Sequence, residues 1–153
     1  MKKLFIYSFF LFFTCVEFYS CDDSAPKQNA ETSVAKAIQD TATKYASGKV
    51  IFEQTCITCH QFDGKGVAGT YPPLAQSDYL LADKQRAIQQ VLQGSNKLIT
   101  VNGNTFTSLM PPQELSDLEI ADVLNYVYHT WGNNGYTVSS EDVKVKRIAL
   151  KEK

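Results

Sequence analysis

Large apolar side chains come in short blocks along this chain, and the spacing within most blocks predicts helix. The clearest block is LSDLEIADVLNYVYHTWG at 115–132, where Ile120, Leu124, Val127 and Trp131 recur at the three- and four-residue spacing of one helix face. Ser116 is placed to cap its start, Glu119 completes a capping box, and Gly132 supplies the stop. Upstream, GKVIFEQTC brings Val50, Ile51 and Phe52 to one side of a short helix with Ser47 as its N-cap. Gly48 stands four residues before Phe52. Glycine inside a helix costs about 1 kcal/mol relative to alanine, and a close approach by a second helix gives that cost a purpose. In SDYLLADKQRAIQQVLQG, Asp83 caps an apolar series of Ile88, Val91 and Leu92 that closes at Gly94.

Between these blocks the chain turns. LITVNGNTFTSL sets Asn102-Gly103 between two β-prone runs, the signal of a small two-stranded hairpin, and the MPPQ that follows ends it. DGKGVAGTYPPL reads as loop. The tail TVSSEDVKVKRIALKEK, within 136–153, predicts a short amphipathic helix begun at Ser139 or Ser140. Residues 22–44 have almost no large apolar side chains and cannot bury a core. They read as a flexible tether with a reach of roughly 25–30 Å.

At the N-terminus, Lys2 and Lys3 precede LFIYSFFLFFTCV, a run that stops at Glu17, short of the roughly 20 residues a membrane span needs. Residues 1–21 therefore read as a secretory signal. Cys21 follows the small Ser20 and precedes polar sequence, the placement of a lipidated cysteine in a bacterial lipoprotein signal; Cys15 is a bystander within the signal. The organisation expected is signal 1–21, tether 22–44, a folded domain over 45–135 and a C-terminal extension over 136–153. The product would lie in the periplasm of a bacterial envelope, held to the membrane by lipid on Cys21.

From residue 22 onward the chain carries 13 Lys and Arg against 15 Asp and Glu, without a basic block. That excludes nucleic acid as a partner. Beyond the signal only Cys56 and Cys59 remain, in CITCH. An exported pair can form a structural disulfide, but the histidine directly after it points elsewhere. A thioredoxin-like centre would need a βαβ frame, and helices surround this motif instead. Structural zinc would exhaust Cys56, Cys59, His60 and His129, with Cys59 and His60 adjacent and hard to aim at one tetrahedral ion. Cys-x-x-Cys-His is the attachment motif of c-type haem: two thiols add across the vinyl groups as thioethers, and His60 lies beneath the iron. For the opposite face, Met110 is the one methionine beyond the signal, and Pro111-Pro112 after it suits a loop crossing the haem. His129 lies off the apolar stripe of its helix and reads as a solvated side chain.

With these residues in view, the stretch from about Ala46 to Trp131 resembles the class I, monohaem cytochromes c. Gly48 and Phe52 match that family's first helix, CITCH its haem attachment, and Leu124, Tyr128 and Trp131 its last helix, which crosses the first at Gly48. The resemblance implies a mostly α fold of short helices wrapped around one covalent haem c and its iron, with a small β-hairpin before the Met110 loop. It implies that a proline carbonyl in YPPL, from Pro72 or Pro73, accepts from the ligand histidine. GKGVAGTYPPLAQSDYL, ITVNGNTFTSLMP and LSDLEIADVLNYVYHTWGNNG further resemble the cytochrome c domains that serve bacterial copper-containing nitrite reductases. Cytochrome subunits of alcohol and sugar dehydrogenases share much of that wording.

His60 and Met110 together would leave no open site on the iron, so the expectation is an electron carrier with no catalytic residues. The haem is expected among Val50, Phe52, Leu74, Leu92, Phe106, Leu124 and Trp131. The protein would act as a monomer, taking electrons from a quinol-oxidising complex and giving them to a copper nitrite reductase or terminal oxidase. The alternatives are an electron-accepting subunit of a dehydrogenase, or a haem enzyme or sensor with an open distal site. The expected docking ring around CITCH and the Met110 loop is sparsely charged, with Lys65 as its lysine.

Overall fold

The computed structural model describes residues 44–152. The expected signal with Cys15, the expected lipidation site Cys21 and the expected tether up to residue 43 lie outside the described residues. Within them are helices α1 (Ala46–Thr55), α2 (Ile57–His60), α3 (Asp78–Ala82), α4 (Lys84–Gln93), α5 (Asp117–Tyr128) and α6 (Ser140–Lys151). Strands β1 (Ile99–Val101) and β2 (Asn104–Phe106) form the one sheet among the described residues. This is the mostly helical class I cytochrome c architecture expected from the sequence, with its small antiparallel ribbon.

The first and fifth helices make the central contact, and Gly48 is where they meet. A Cβ on Gly48 would overlap the carbonyl of Asp122 and lie 2.8 Å from Cβ of Tyr126. Glycine thus permits a backbone approach that any side chain would block. Phe52, 1% exposed, fills the space beside it, with ring centroids 5.5 Å from Tyr126 and 5.2 Å from Trp131. Two expectations for α1 need correction. The helix begins at Ala46 with Tyr45 at its cap position, so Ser47 sits in the first turn and caps nothing. Val50 is 52% exposed, because the α1 stripe facing α5 runs through Gly48 and Phe52 and leaves Val50 on the solvent side.

The other elements follow local signals. Asp83 caps α4 and Gly94 ends it, as expected, while Ser77 caps a further short helix, α3, that stops where Asp83 turns extended. Asn102 and Gly103 both take positive φ, as the tight hairpin turn requires, and Ile99 pairs with Phe106. Ser116 and Glu119 form the expected capping box on α5. That helix stops at Tyr128, four residues before Gly132. Trp131 has φ 55° and Gly132 φ 78°, which turns the chain sharply and takes Trp131 off the helix.

The tail helix starts from Ser139, whose hydroxyl and the Asp142 carboxylate form a second capping box. It packs into the same core as the preceding helices: Val138 and Val143 are 2% and 0% exposed. Asn125 brackets Val138 with two hydrogen bonds of 2.8 Å, Arg147 reaches Asp117 at 2.7 Å, and Lys84 reaches Asp142 at 3.0 Å. His129 is not solvated; it is half-buried, stacked on Tyr45 with centroids 4.8 Å apart, and its Nδ1–H donates to the Asn125 carbonyl. Among the described residues no helix is long and apolar enough to cross a membrane.

Candidate functional site

A helical turn explains why the cysteine pair and the histidine come at their spacing. Cys56 and Cys59 are three positions apart, and Cys56 and His60 four, so all three side chains leave one face of the chain around α2. The backbone keeps helical bonding through the junction with α1: Cys56 N–H donates to Phe52 and His60 N–H to Cys56, at 2.9 and 3.0 Å. Gln61, at φ 59°, then ends the turn and starts the glycine loop. Both thiols are free and half-buried. Burial pushes the Cys56 thiol up, the Thr55 hydroxyl partly offsets this, and neighbouring Cys59 adds to it.

These three residues form one wall of an apolar slot. Leu74, Leu80, Val101, Phe106, Val123, Leu124 and Val127 line it, and Met110 stands with Leu109 and Pro111 on the loop that closes it. The Met110 segment is clamped: Ser95 and Met110 exchange backbone hydrogen bonds of 2.8 Å, and Gln113 N–H donates to the Val91 carbonyl at 2.9 Å. Tyr71, Tyr79, Gln90, Lys97 and Ser108 supply polar groups around the lining.

His60 is oriented from behind. Its Nδ1 lies 3.0 Å from the Pro72 carbonyl oxygen, so the bond falls on Pro72 and not on Pro73. A carbonyl can only accept, which puts the ring proton on Nδ1 and leaves the Nε2 lone pair for a metal. Burial lowers the His60 pKa, and the Pro72 bond offsets this only in part. The imidazole is thus held in the neutral form that ligates metals.

The pattern of residues is decisive when set beside known families: residues 45–131 match the model of the cytochrome c family. The chain belongs to the cytochrome c family. The cofactor of a cytochrome c is covalent haem c with its iron, and Cys56-Ile57-Thr58-Cys59-His60 fits the Cys-x-x-Cys-His motif. The slot suits that group, with two free thiols on one wall, a neutral imidazole beside them, a thioether on the closing loop and an apolar lining. Among the described residues no cluster of three or more His, Cys, Asp or Glu side chains could hold another metal ion.

This cytochrome c is similar to the cytochrome c subunit of the quinone alcohol dehydrogenase of Gluconobacter oxydans (strain 621H). They are 34% identical over 104 residues, covering 66% of this chain and 22% of that subunit. It is similar to the fructose dehydrogenase cytochrome subunit of Gluconobacter japonicus, with 33% identity over 73% of this chain and 24% of the relative. A cytochrome c-552 of Thermus thermophilus is 35% identical over 60% of this chain and 65% of its own length. The match thus spans about a quarter or less of the dehydrogenase subunits. Membership of the cytochrome c family makes residues 45–131 an electron-transfer domain.

Several lining residues differ from expectation. Leu74, Phe106 and Leu124 line the slot, but Val50 faces solvent and Phe52 is spent on the helix crossing. Leu92 packs from outside the slot, and Trp131 folds over Gly64 and donates through Nε1–H to the Phe62 carbonyl at 3.1 Å. Lys97 joins the lining, so Lys65 does not stand alone as the lysine near it. Val123 was legible as the residue one turn from Val127 on α5, whereas Ser95 carries no local signal because it acts through its backbone.

Proposed function

We propose that Cys56 and Cys59 hold one haem c through thioethers, with His60 and Met110 as its axial ligands, in a tethered carrier that takes electrons from a dehydrogenase. The bond from His60 Nδ1 to Pro72 carries the reading, because it fixes the imidazole in the slot with Nε2 free. When bound, haem supplies a one-electron ferric/ferrous couple. The residues around it exclude water, and a thioether opposite the imidazole favours the ferrous form. Two protein ligands leave no position for oxygen or peroxide, which separates this reading from a haem enzyme or sensor. The ferric holoprotein should keep its haem through acid-acetone extraction and show the weak sulfur-to-iron charge-transfer band at the red end of the spectrum. A spectrum without that band would remove Met110 from the ligand set.

For the partner, likeness to cytochrome subunits of alcohol and fructose dehydrogenases supports a dehydrogenase as electron donor, in place of the expected quinol-oxidising complex, and gives no support to a copper nitrite reductase as acceptor. The lysine-flanked apolar leader and Cys21 support export to the periplasm and a lipid anchor. Mixing the ferric protein with a substrate-reduced dehydrogenase from the same organism tests the donor. Rapid haem reduction is expected. No reduction there, with rapid nitrite-dependent oxidation of the ferrous protein by a copper nitrite reductase, would reverse the assignment of partner.

A further inference from the structure

We infer that Asn133 is a positioning residue that holds the Pro72 carbonyl against His60 from the far side of the loop. This rests on the reading of His60 as an iron ligand and adds a residue beyond the 45–131 stretch that matches the family. Pro72 and Pro73 have no backbone N–H, so they cannot anchor themselves through donors of their own. Their position is set by clamps on either side. Before them, Val67 and Tyr71 exchange hydrogen bonds of 3.0 and 2.8 Å. After them, Leu74 and Ala75 donate to the Gly64 carbonyl, and Asn133 takes the rest.

The side chain of Asn133 is 8% exposed and fully employed. Its Nδ2 donates to the carbonyls of Leu74 at 3.0 Å and Val127 at 2.8 Å, while its Oδ1 accepts from Gln76 N–H at 2.6 Å. One amide thus joins both ends of the Leu74–Gln76 segment to the last turn of α5, a wall of the slot. The left-handed pair Trp131 and Gly132 brings Asn133 back into reach of that segment, and its own N–H is tied to Thr130. Removing a buried group with three partners leaves those partners unsatisfied. An imidazole whose N–H bonds a well-held acceptor is a more basic ligand. Asn133 therefore acts on the iron through Pro72 and His60, without touching haem.

The test is the exchange rate of the His60 Nδ1 proton, followed by NMR in the ferrous holoprotein. Asn125→Ala is the control: it deletes the two hydrogen bonds that bracket Val138 and lies outside the slot lining. With each variant read at the same margin below its unfolding midpoint, Asn133→Ala should speed this exchange at least tenfold beyond Asn125→Ala. Asn133→Ser, able to keep one partner, should fall between and serves if the alanine variant does not fold. Exchange in both Asn133 variants no faster than in the control would overturn the inference. Covalent haem and an intact red-end band in the unmodified protein separate that failure from failure of the ligand assignment itself.

Discussion

Ser95 and Met110 are joined backbone to backbone by a reciprocal pair of 2.8 Å hydrogen bonds, so Met110 is fixed in the slot lining by its main chain. Gly94 makes this possible. It sits at φ 69°, ψ −171°, a region open essentially to glycine alone, and a Cβ there would come within 2.8 and 2.9 Å of the Pro112 nitrogen and the Pro111 carbonyl carbon. Gly94→Ala should cost about 1–3 kcal/mol of stability and weaken the red-end charge-transfer band while leaving haem attached. A stable variant with an unchanged band would show that the loop adapts.

Met110→Ala leaves the thiols and His60 untouched, so haem should remain covalent. Ferric iron should become high-spin and bind cyanide or imidazole readily, which an optical titration reads. A spectrum and potential equal to the parent would place the sixth ligand elsewhere.

At the helix crossing, two magnitudes compete. Gly48→Ala gains about 1 kcal/mol of helix propensity but drives a Cβ into the Asp122 carbonyl and the Tyr126 side chain. Overpacking costs about 1–3 kcal/mol, and here the obstacle is backbone, which cannot rotate away. Net destabilisation is expected in a denaturant melt. A variant more stable than the parent would mean that α1 and α5 can separate without loss.

The Asp142 carboxyl is held below the usual carboxylate range, first by the Ser139 backbone N–H and then by the Ser139 hydroxyl and Lys84. A lowered pKa in the folded state means that the cap contributes fully above the unfolded-state pKa and is lost as pH falls through the lowered value. Amide protection in α6 should therefore drop on acidification, and Asp142→Asn should remove much of that dependence. Protection unchanged through the carboxylate range would contradict it.

On the proposed lipid anchor, Cys21→Ser should release the protein from membranes without altering the haem spectrum, because Cys21 lies 35 positions before Cys56 in the sequence. Palmitate labelling that persists in this variant would move the lipid to Cys15.

Much of this fold was legible because its signals are local. Capping boxes sit within four residues, Asn102-Gly103 specifies its own turn, and Gly48 announced a close helix approach before the partner carbonyl was known. The cysteine and histidine spacing likewise needs only one helical turn. What escaped depends on contacts between distant segments. Nothing beside Trp131 tells that a bulky residue will adopt φ 55°, because the aromatic packing on Phe52 and Gly64 that accompanies this conformation involves residues far back in the chain. His129 read as solvated for the same reason: its stacking partner, Tyr45, is at the other end of the domain.

That stacked pair also sets how the molecule would hang from a membrane. Tyr45 sits at the start of α1 and Cys56 just past its end, a separation of about 15 Å for ten helical residues. Upstream chain is thus joined to the far pole of α1, away from the cysteines, and the His129 ring braces the attachment point. With lipid on Cys21, as proposed, a pull from the membrane would fall on this bracket and not on the pole that carries the cysteines.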